Sequence, residues 1–153
     1  NPVSIYHQID DLQEQMLAFT FSHNGEYLAG SDQNLRLWRT GDAWQENIIN
    51  TAAVTLAFSP DDALLAGISS SGELILWSVP KLDELSALNV ITGEARPEPE
   101  YIWVENPEGE LITIPVYPRP EIRTRGIGIQ FTPDGANLLT LTSDGILSLW
   151  AVK

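Results

Sequence analysis

Phe58-Ser59-Pro60-Asp61-Asp62, followed by Leu74-Ile75-Leu76-Trp77, decides the fold, because the same phrase returns twice more in the chain. One copy precedes it, Phe21-Ser22-His23-Asn24-Gly25 to Leu35-Arg36-Leu37-Trp38. Another follows, Phe131-Thr132-Pro133-Asp134-Gly135 to Leu147-Ser148-Leu149-Trp150. Repetition outranks local pattern when a fold is assigned, since each copy is one unit that cannot bury its apolar faces alone. In the second and third copies Trp stands nineteen positions after Phe, and in the first it stands seventeen after. The difference falls in one turn, Ser31-Asp32-Gln33-Asn34.

Each copy resolves into three short strands. In the middle copy Val54 to Phe58 alternates as a strand does, Ser59-Pro60-Asp61-Asp62 is turn chemistry, and Leu64 to Ile68 is a second apolar strand. Ser69-Ser70-Ser71-Gly72 makes a further turn before Leu74 to Val79. The third copy repeats this with Gly128 to Phe131, Asn137 to Leu141, the turn Ser143-Asp144-Gly145, and Ile146 to Val152. The first runs Leu17 to Phe21, Glu26 to Gly30 and Leu35 to Trp38. A fourth strand is expected after the first copy, over Trp44 to Ile49. Short antiparallel sheets with apolar residues on both faces must stack against one another, and four strands in about 40 residues is the arithmetic of a propeller blade.

The turn Ser-Pro-Asp-Asp/Gly, the Ser-Asp-Gly turn and the closing Leu-x-Leu-Trp resemble the WD-repeat β-propeller family. The departures are specific. Trp38, Trp77 and Trp150 are followed by Arg39, Ser78 and Ala151, so the Asp of the naming dipeptide is missing, as is the family's Gly-His before the first strand. The buried His/Asp/Ser/Trp network of well-formed repeats therefore does not carry over. Asp144 and Asp32 match only the family's turn Asp. The fold class expected is all-β, with four-stranded antiparallel blades in a ring that is incomplete unless the chain is longer or associates. The expected blades cover about 16–50, 54–95 and 126–153, with a strand over 4–7 the candidate to complete the last, and 96–120 an inserted hairpin or a decayed blade. Tyr101 to Val104 and Leu111 to Val116 flank Asn106-Pro107-Glu108-Gly109 in that segment and read as a hairpin.

Composition bounds function. At 153 residues the chain has a net charge of −13, from 21 acids and 8 bases. Nucleic-acid affinity comes mostly from Lys and Arg displacing counterions, so neither nucleic acid nor an anionic membrane is an expected partner. No apolar run approaches the roughly 20 residues of a membrane-crossing helix. There is no cysteine, hence no disulfide or thiolate metal site. The absence of Asn-x-Ser/Thr points to a cytoplasmic setting.

No constellation for catalysis is legible. Gly67-Ile68-Ser69-Ser70-Ser71 lacks the closing Gly of a nucleophile elbow, Gly126-Ile127-Gly128 opens a strand rather than a dinucleotide loop, and His7 and His23 have no ligand spacing. Glu94, Glu98, Glu100, Glu105, Glu108 and Glu110 crowd the hairpin without the alternated order of a calcium loop, and Arg119, Arg123 and Arg125 stand beyond them as natural ion-pair partners. Trp38, Trp77 and Trp150 are read as packing residues. Each buries on the order of 150–250 Å², about 4–6 kcal/mol as an upper bound.

The chain is therefore expected to be no enzyme, and to need no cofactor and no metal. It reads as a non-catalytic scaffold for protein–protein interaction. The alternative is a regulatory or substrate-gating propeller portion of a larger enzyme, such as a hydrolase or kinase. The resemblance implies binding by the turns between second and third strands: Asp32, Gln33 and Asn34; Ser70, Ser71 and Gly72; Ser143, Asp144 and Gly145. Three blades left open would expose an apolar face at either end, so the rest of a longer chain or self-association is expected to close the ring.

Overall fold

The computed structural model describes residues 15–41, 44–90, 100–105, 109–116 and 126–153. The strand expected over 4–7, His7, the acidic residues of 91–99, and Arg119, Arg123 and Arg125 lie outside them. The described residues form strands and turns with no helix.

Strands β1 (Ala18–Phe21), β2 (Tyr27–Ser31), β3 (Leu35–Arg39) and β4 (Glu46–Ile49) form the first blade, an antiparallel meander in chain order. The second blade repeats it with β5 (Thr55–Phe58), β6 (Leu64–Ile68), β7 (Glu73–Ser78) and β8 (Glu84–Asn89). Then β9 (Glu100–Glu105) and β10 (Leu111–Val116) pair as a separate two-stranded hairpin, with Ile102 opposite Ile114 and Val104 opposite Ile112. The third blade has three described strands, β11 (Gly126–Phe131), β12 (Asn137–Thr142) and β13 (Leu147–Ala151). Sequence reading placed a fourth strand after the first copy. It did not single out β8, whose Glu84-Leu85-Ser86-Ala87-Leu88-Asn89 lies largely exposed at a blade edge and carries a weak apolar period.

The first turn of every blade is built alike. Ser22, Ser59 and Thr132 each receive the backbone N–H five or so residues on, and their hydroxyls donate to Asn24, Asp61 and Asp134 at 2.9, 2.6 and 2.5 Å. The fourth turn residue must turn left-handed to reverse the chain. It is Gly25 at φ 73° and Gly135 at φ 71°, but Asp62 at φ 58° in the middle blade.

The stack has a polarity. In the second blade Leu56, Phe58, Leu65, Ile75 and Trp77 share one face and pack with Ala29, Leu35 and Leu37 of the first. Its opposite face, with Ala66, Ile68 and Leu74, packs with Phe131, Leu138 and Trp150 of the third. The Trp-bearing faces of the second and third blades thus lie on the Trp-free face of the blade before them. The strands β1, β5 and β11 sit side by side as the innermost strand of each blade.

The repeated indoles pack as expected, and their seating shows why Gly30 and Gly67 are glycines. A Cβ at Gly30 would fall 2.8 Å from a ring carbon of Trp38, and one at Gly67 would fall 2.9 Å from the same atom of Trp77. The third blade places Thr140 at this position and turns it to use: the Trp150 indole N–H donates to Thr140 Oγ1 at 2.8 Å.

Candidate interaction surfaces

Strand alternation puts the first turn of all three blades at one end of the stack, and the second-to-third strand turns at the other. At the first-turn end the blades are tied together by Asp62. Its Oδ1 accepts the backbone N–H of His23 at 2.7 Å, and its Oδ2 accepts that of Asn24 at 2.9 Å. The His23 ring adds Nδ1 at 3.0 Å from Oδ1. Burial pushes the Asp62 carboxyl up, but the two backbone donors and the His23 ring outweigh it and hold it below the ordinary carboxylate value. The left-handed backbone that this non-glycine residue adopts is what aims its carboxylate across the joint.

Two further polar links cross the same joint. Asn47 donates to the Pro80 and Lys81 carbonyls at 3.2 and 3.0 Å, and the buried Ser31 hydroxyl accepts the Ala53 N–H at 2.8 Å. Between the innermost strands, at the first-turn end, opens a cleft of about 490 Å³ whose rim carries Phe21, His23, Pro60, Gln130 and Pro133. No reading of the sequence singled out this end. The signal was present, in that three near-identical turns in one register must meet around an axis.

At the opposite end the structure separates the nine turn residues expected to bind. Gln33, Ser70, Ser143, Asp144 and Gly145 are exposed, Asn34 and Ser71 are half-buried, and Asp32 and Gly72 are buried. Asp32 is turned inward as the anchor of its shortened turn, accepting the Asn34 N–H at 2.6 Å and Arg36 Nε at 3.2 Å. Burial raises its carboxyl, while the Asn34 amide and the Arg36 guanidinium more than compensate and hold it below the usual range. Arg36 in turn reaches Glu46 at 2.8 Å, and that bond, against burial and with Asp32, keeps it firmly charged. In the longer turns a hydroxyl replaces this carboxylate: Ser69 Oγ lies 2.7 Å from Ser71 Oγ and accepts the Glu73 N–H at 3.1 Å. Thr142 Oγ1 donates to Asp144 at 2.5 Å.

These turns are held by their own hydrogen bonds, so what they offer a partner is shape and fixed polar groups. Among the described residues no three His, Asp or Glu side chains gather as a metal-holding group. No described helix is long and apolar enough to cross a membrane.

Comparison with known proteins agrees with the architecture. Residues 9–39 match the family model "WD domain, G-beta repeat". Over 132 residues, 80% of this chain, it is 24% identical to apoptotic protease-activating factor 1 of Rattus norvegicus, and 23% identical over the same length to that of Mus musculus. Over 82 residues, 50% of the chain, it is 33% identical to the tRNA (guanine-N(7)-)-methyltransferase non-catalytic subunit wdr4 of Xenopus laevis. The aligned region is 10% of each of the first two relatives and 21% of the third. The residues matched by the family model carry a WD repeat, and the three stacked blades together with these similarities support a WD-repeat β-propeller architecture.

Proposed function

We propose that the chain is a non-catalytic protein-binding scaffold whose second-to-third strand turns form the contact surface. The observation that carries this reading is the locking of three matching turns at one end of a rigid blade stack. Gln33, Ser70, Ser143 and Asp144 stand exposed there on backbone that is already ordered. Pre-ordered loops lose little entropy on binding, which suits them to recognition. On this reading Asp32 and Gly72 build the surface and the exposed residues touch the partner. The segment 96–120 is then an insertion between the second and third blades, and the expected cytoplasmic setting fits an acidic, cysteine-free scaffold.

The names of the relatives favour a second, compatible reading, in which the scaffold serves an enzyme it does not itself contain. One relative is named as a non-catalytic subunit of a methyltransferase and two as protease-activating factors.

The test replaces Ser70, Ser143 and Asp144 with Arg together and measures crosslinked partners quantitatively against the parent chain. A defined set of partners should be lost while thermal unfolding is unchanged. Retention of the full set would remove this end as the contact surface.

A further inference from the structure

We propose that Asn24-Gly25, in the first turn of the first blade, is a self-modification site: it deamidates when the joint to the second blade opens, and its isoaspartyl product keeps that joint from closing again. This goes beyond the scaffold reading and does not depend on it. The site faces a joint between two described blades. The three first turns share one plan, but only this one sets a neutral side-chain amide before a glycine. The others read Asp61-Asp62 and Asp134-Gly135. An amide can release ammonia as its leaving group, and a following glycine has no Cβ to hinder the approach of its own nitrogen.

The reaction balances with water alone. The Gly25 backbone nitrogen attacks Asn24 Cγ, a C–N bond closes a five-membered succinimide, and the side-chain nitrogen leaves as ammonia, taking up the proton that Gly25 gives up. Water then opens the ring at one of its two carbonyls. Opening at Cγ leaves aspartate. Opening at the backbone carbonyl leaves isoaspartate, in which the chain runs through Cβ and Cγ and a free α-carboxylate stands on Cα. One water is consumed, one ammonia is released, and nothing is oxidised or reduced.

The closed turn holds back the first step, although Asn24 and Gly25 are both exposed. The Gly25 N–H donates to the Ser22 carbonyl at 3.0 Å, so the attacking nitrogen is engaged. Asn24 Oδ1 accepts the Ser22 hydroxyl at 2.9 Å and the Glu26 N–H at 2.8 Å, which fixes the side chain. The Asn24 N–H is held across the joint by Asp62 Oδ2 at 2.9 Å. Attack requires this turn to loosen locally, and Asp62 is the contact from the next blade that keeps it closed.

The two products have opposite fates. Aspartate at this place occurs twice elsewhere in the chain: Asp61 and Asp134 accept the Ser59 and Thr132 hydroxyls at 2.6 and 2.5 Å, and the Ala63 and Ala136 N–H groups at 3.1 and 3.0 Å. Isoaspartate has no such precedent. Its α-carboxylate is carried by the same Cα whose N–H meets Asp62, so two anions face each other where a carboxylate met a donor. The added backbone methylene also lengthens a turn whose bonds leave no slack.

Ageing the 153-residue chain at neutral pH, with aspartate and isoaspartate at position 24 resolved by peptide mass spectrometry, tests this. The folded parent should convert slowly and the chain unfolded in urea fastest. Asp62→Ala should convert at least on the order of tenfold faster than the folded parent. Asp62→Asn, which keeps one acceptor, should fall between, and it carries the comparison alone if circular dichroism finds Asp62→Ala unfolded. Asn24→Asp should unfold in urea close to the parent, whereas the chromatographically separated isoaspartyl form should unfold at lower urea. Absence of product at position 24, equal conversion in folded and unfolded chains, no acceleration in a folded Asp62 variant, or an isoaspartyl form as stable as Asn24→Asp would each overturn the proposal.

Discussion

Asp62 is the position where repeat logic and structure make opposite forecasts. The other two blades have Gly here, and Gly takes φ near +60° without strain, whereas an L-residue costs roughly 1–2 kcal/mol, less for Asp, which tolerates this region. From the repeat alone Asp62→Gly should stabilise. The structure says otherwise, because the Asp62 side chain is 8% exposed and accepts two backbone N–H groups of the preceding blade, at 2.7 and 2.9 Å. Hydrogen bonds to a charged group contribute about 1.5–3 kcal/mol each. His23 and Asn24 are exposed, so water partly replaces the lost partner and about 1–1.5 kcal/mol each is the better figure. Relief of backbone strain offsets about 1 kcal/mol of this. Asp62→Gly should therefore lose about 1–2 kcal/mol, and Asp62→Ala about 2–4, since it loses the bonds and keeps the strain. Asp62→Asn, which keeps an acceptor and tolerates the backbone, should lose about 1 kcal/mol. Urea unfolding of the three variants reads the order directly, and about 2–4 °C of midpoint per kcal/mol is expected on heating. If Asp62→Gly matches or exceeds the parent chain, the latch does not hold the blades together and the reasoning fails.

Three further outcomes follow from the same geometry. Gly67→Ala would set a methyl 2.9 Å from the Trp77 ring and 3.0 Å from Ala53 Cβ, and should destabilise by about 1–3 kcal/mol in urea unfolding; no loss would mean that the indole is loosely seated. Thr140→Val preserves shape but removes the acceptor of the Trp150 indole N–H, costing about 1–2 kcal/mol, while Thr140→Ser should cost less; equal losses would assign the effect to packing alone. Asp62 and Asp32 both have folded carboxyls held below the ordinary carboxylate value, by the hydrogen bonds and charges that outweigh their burial. Their contribution is thus fully present above that value and is lost as pH falls through the folded values. The stability advantage of the parent chain over Asp62→Asn should be constant from pH 7 to about 5 and shrink below about 4. An advantage that grows on acidification would reverse the sign of the argument.

The strands β1 to β7 and β11 to β13 were legible because each carries alternating apolar residues between turns of Ser, Asp and Gly, and because three copies confirm one another. Two things were hidden for physical reasons. The edge strand β8 buries little, so selection for apolar residues there is weak and its pattern fades. The place of a turn side chain was hidden too: the shortened turn sets Asp32 where the other copies have Ser69 and Thr142, so Asp32 is buried and paired with Arg36 while Asp144 stays exposed. That difference depends on Arg36, where the other copies have Ile75 and Ser148, and on a turn shorter by two residues. The polarity of the stack was not readable at all before the register was known, because alternation alone does not say which face meets which neighbour.

The copies agree where a blade packs within itself and diverge where it meets the next. The Trp, its cross-strand Leu and the Ser/Thr of the first turn answer to intrablade geometry, which is the same three times. The second and fourth turn residues answer to the joint, and there the copies read His23 and Gly25, Pro60 and Asp62, Pro133 and Gly135. Taken in order around the stack, His23 meets Asp62 as donor and acceptor, and Pro60 meets Gly135 with neither. Departures from a repeat are therefore informative in pairs, one residue on each side of a joint.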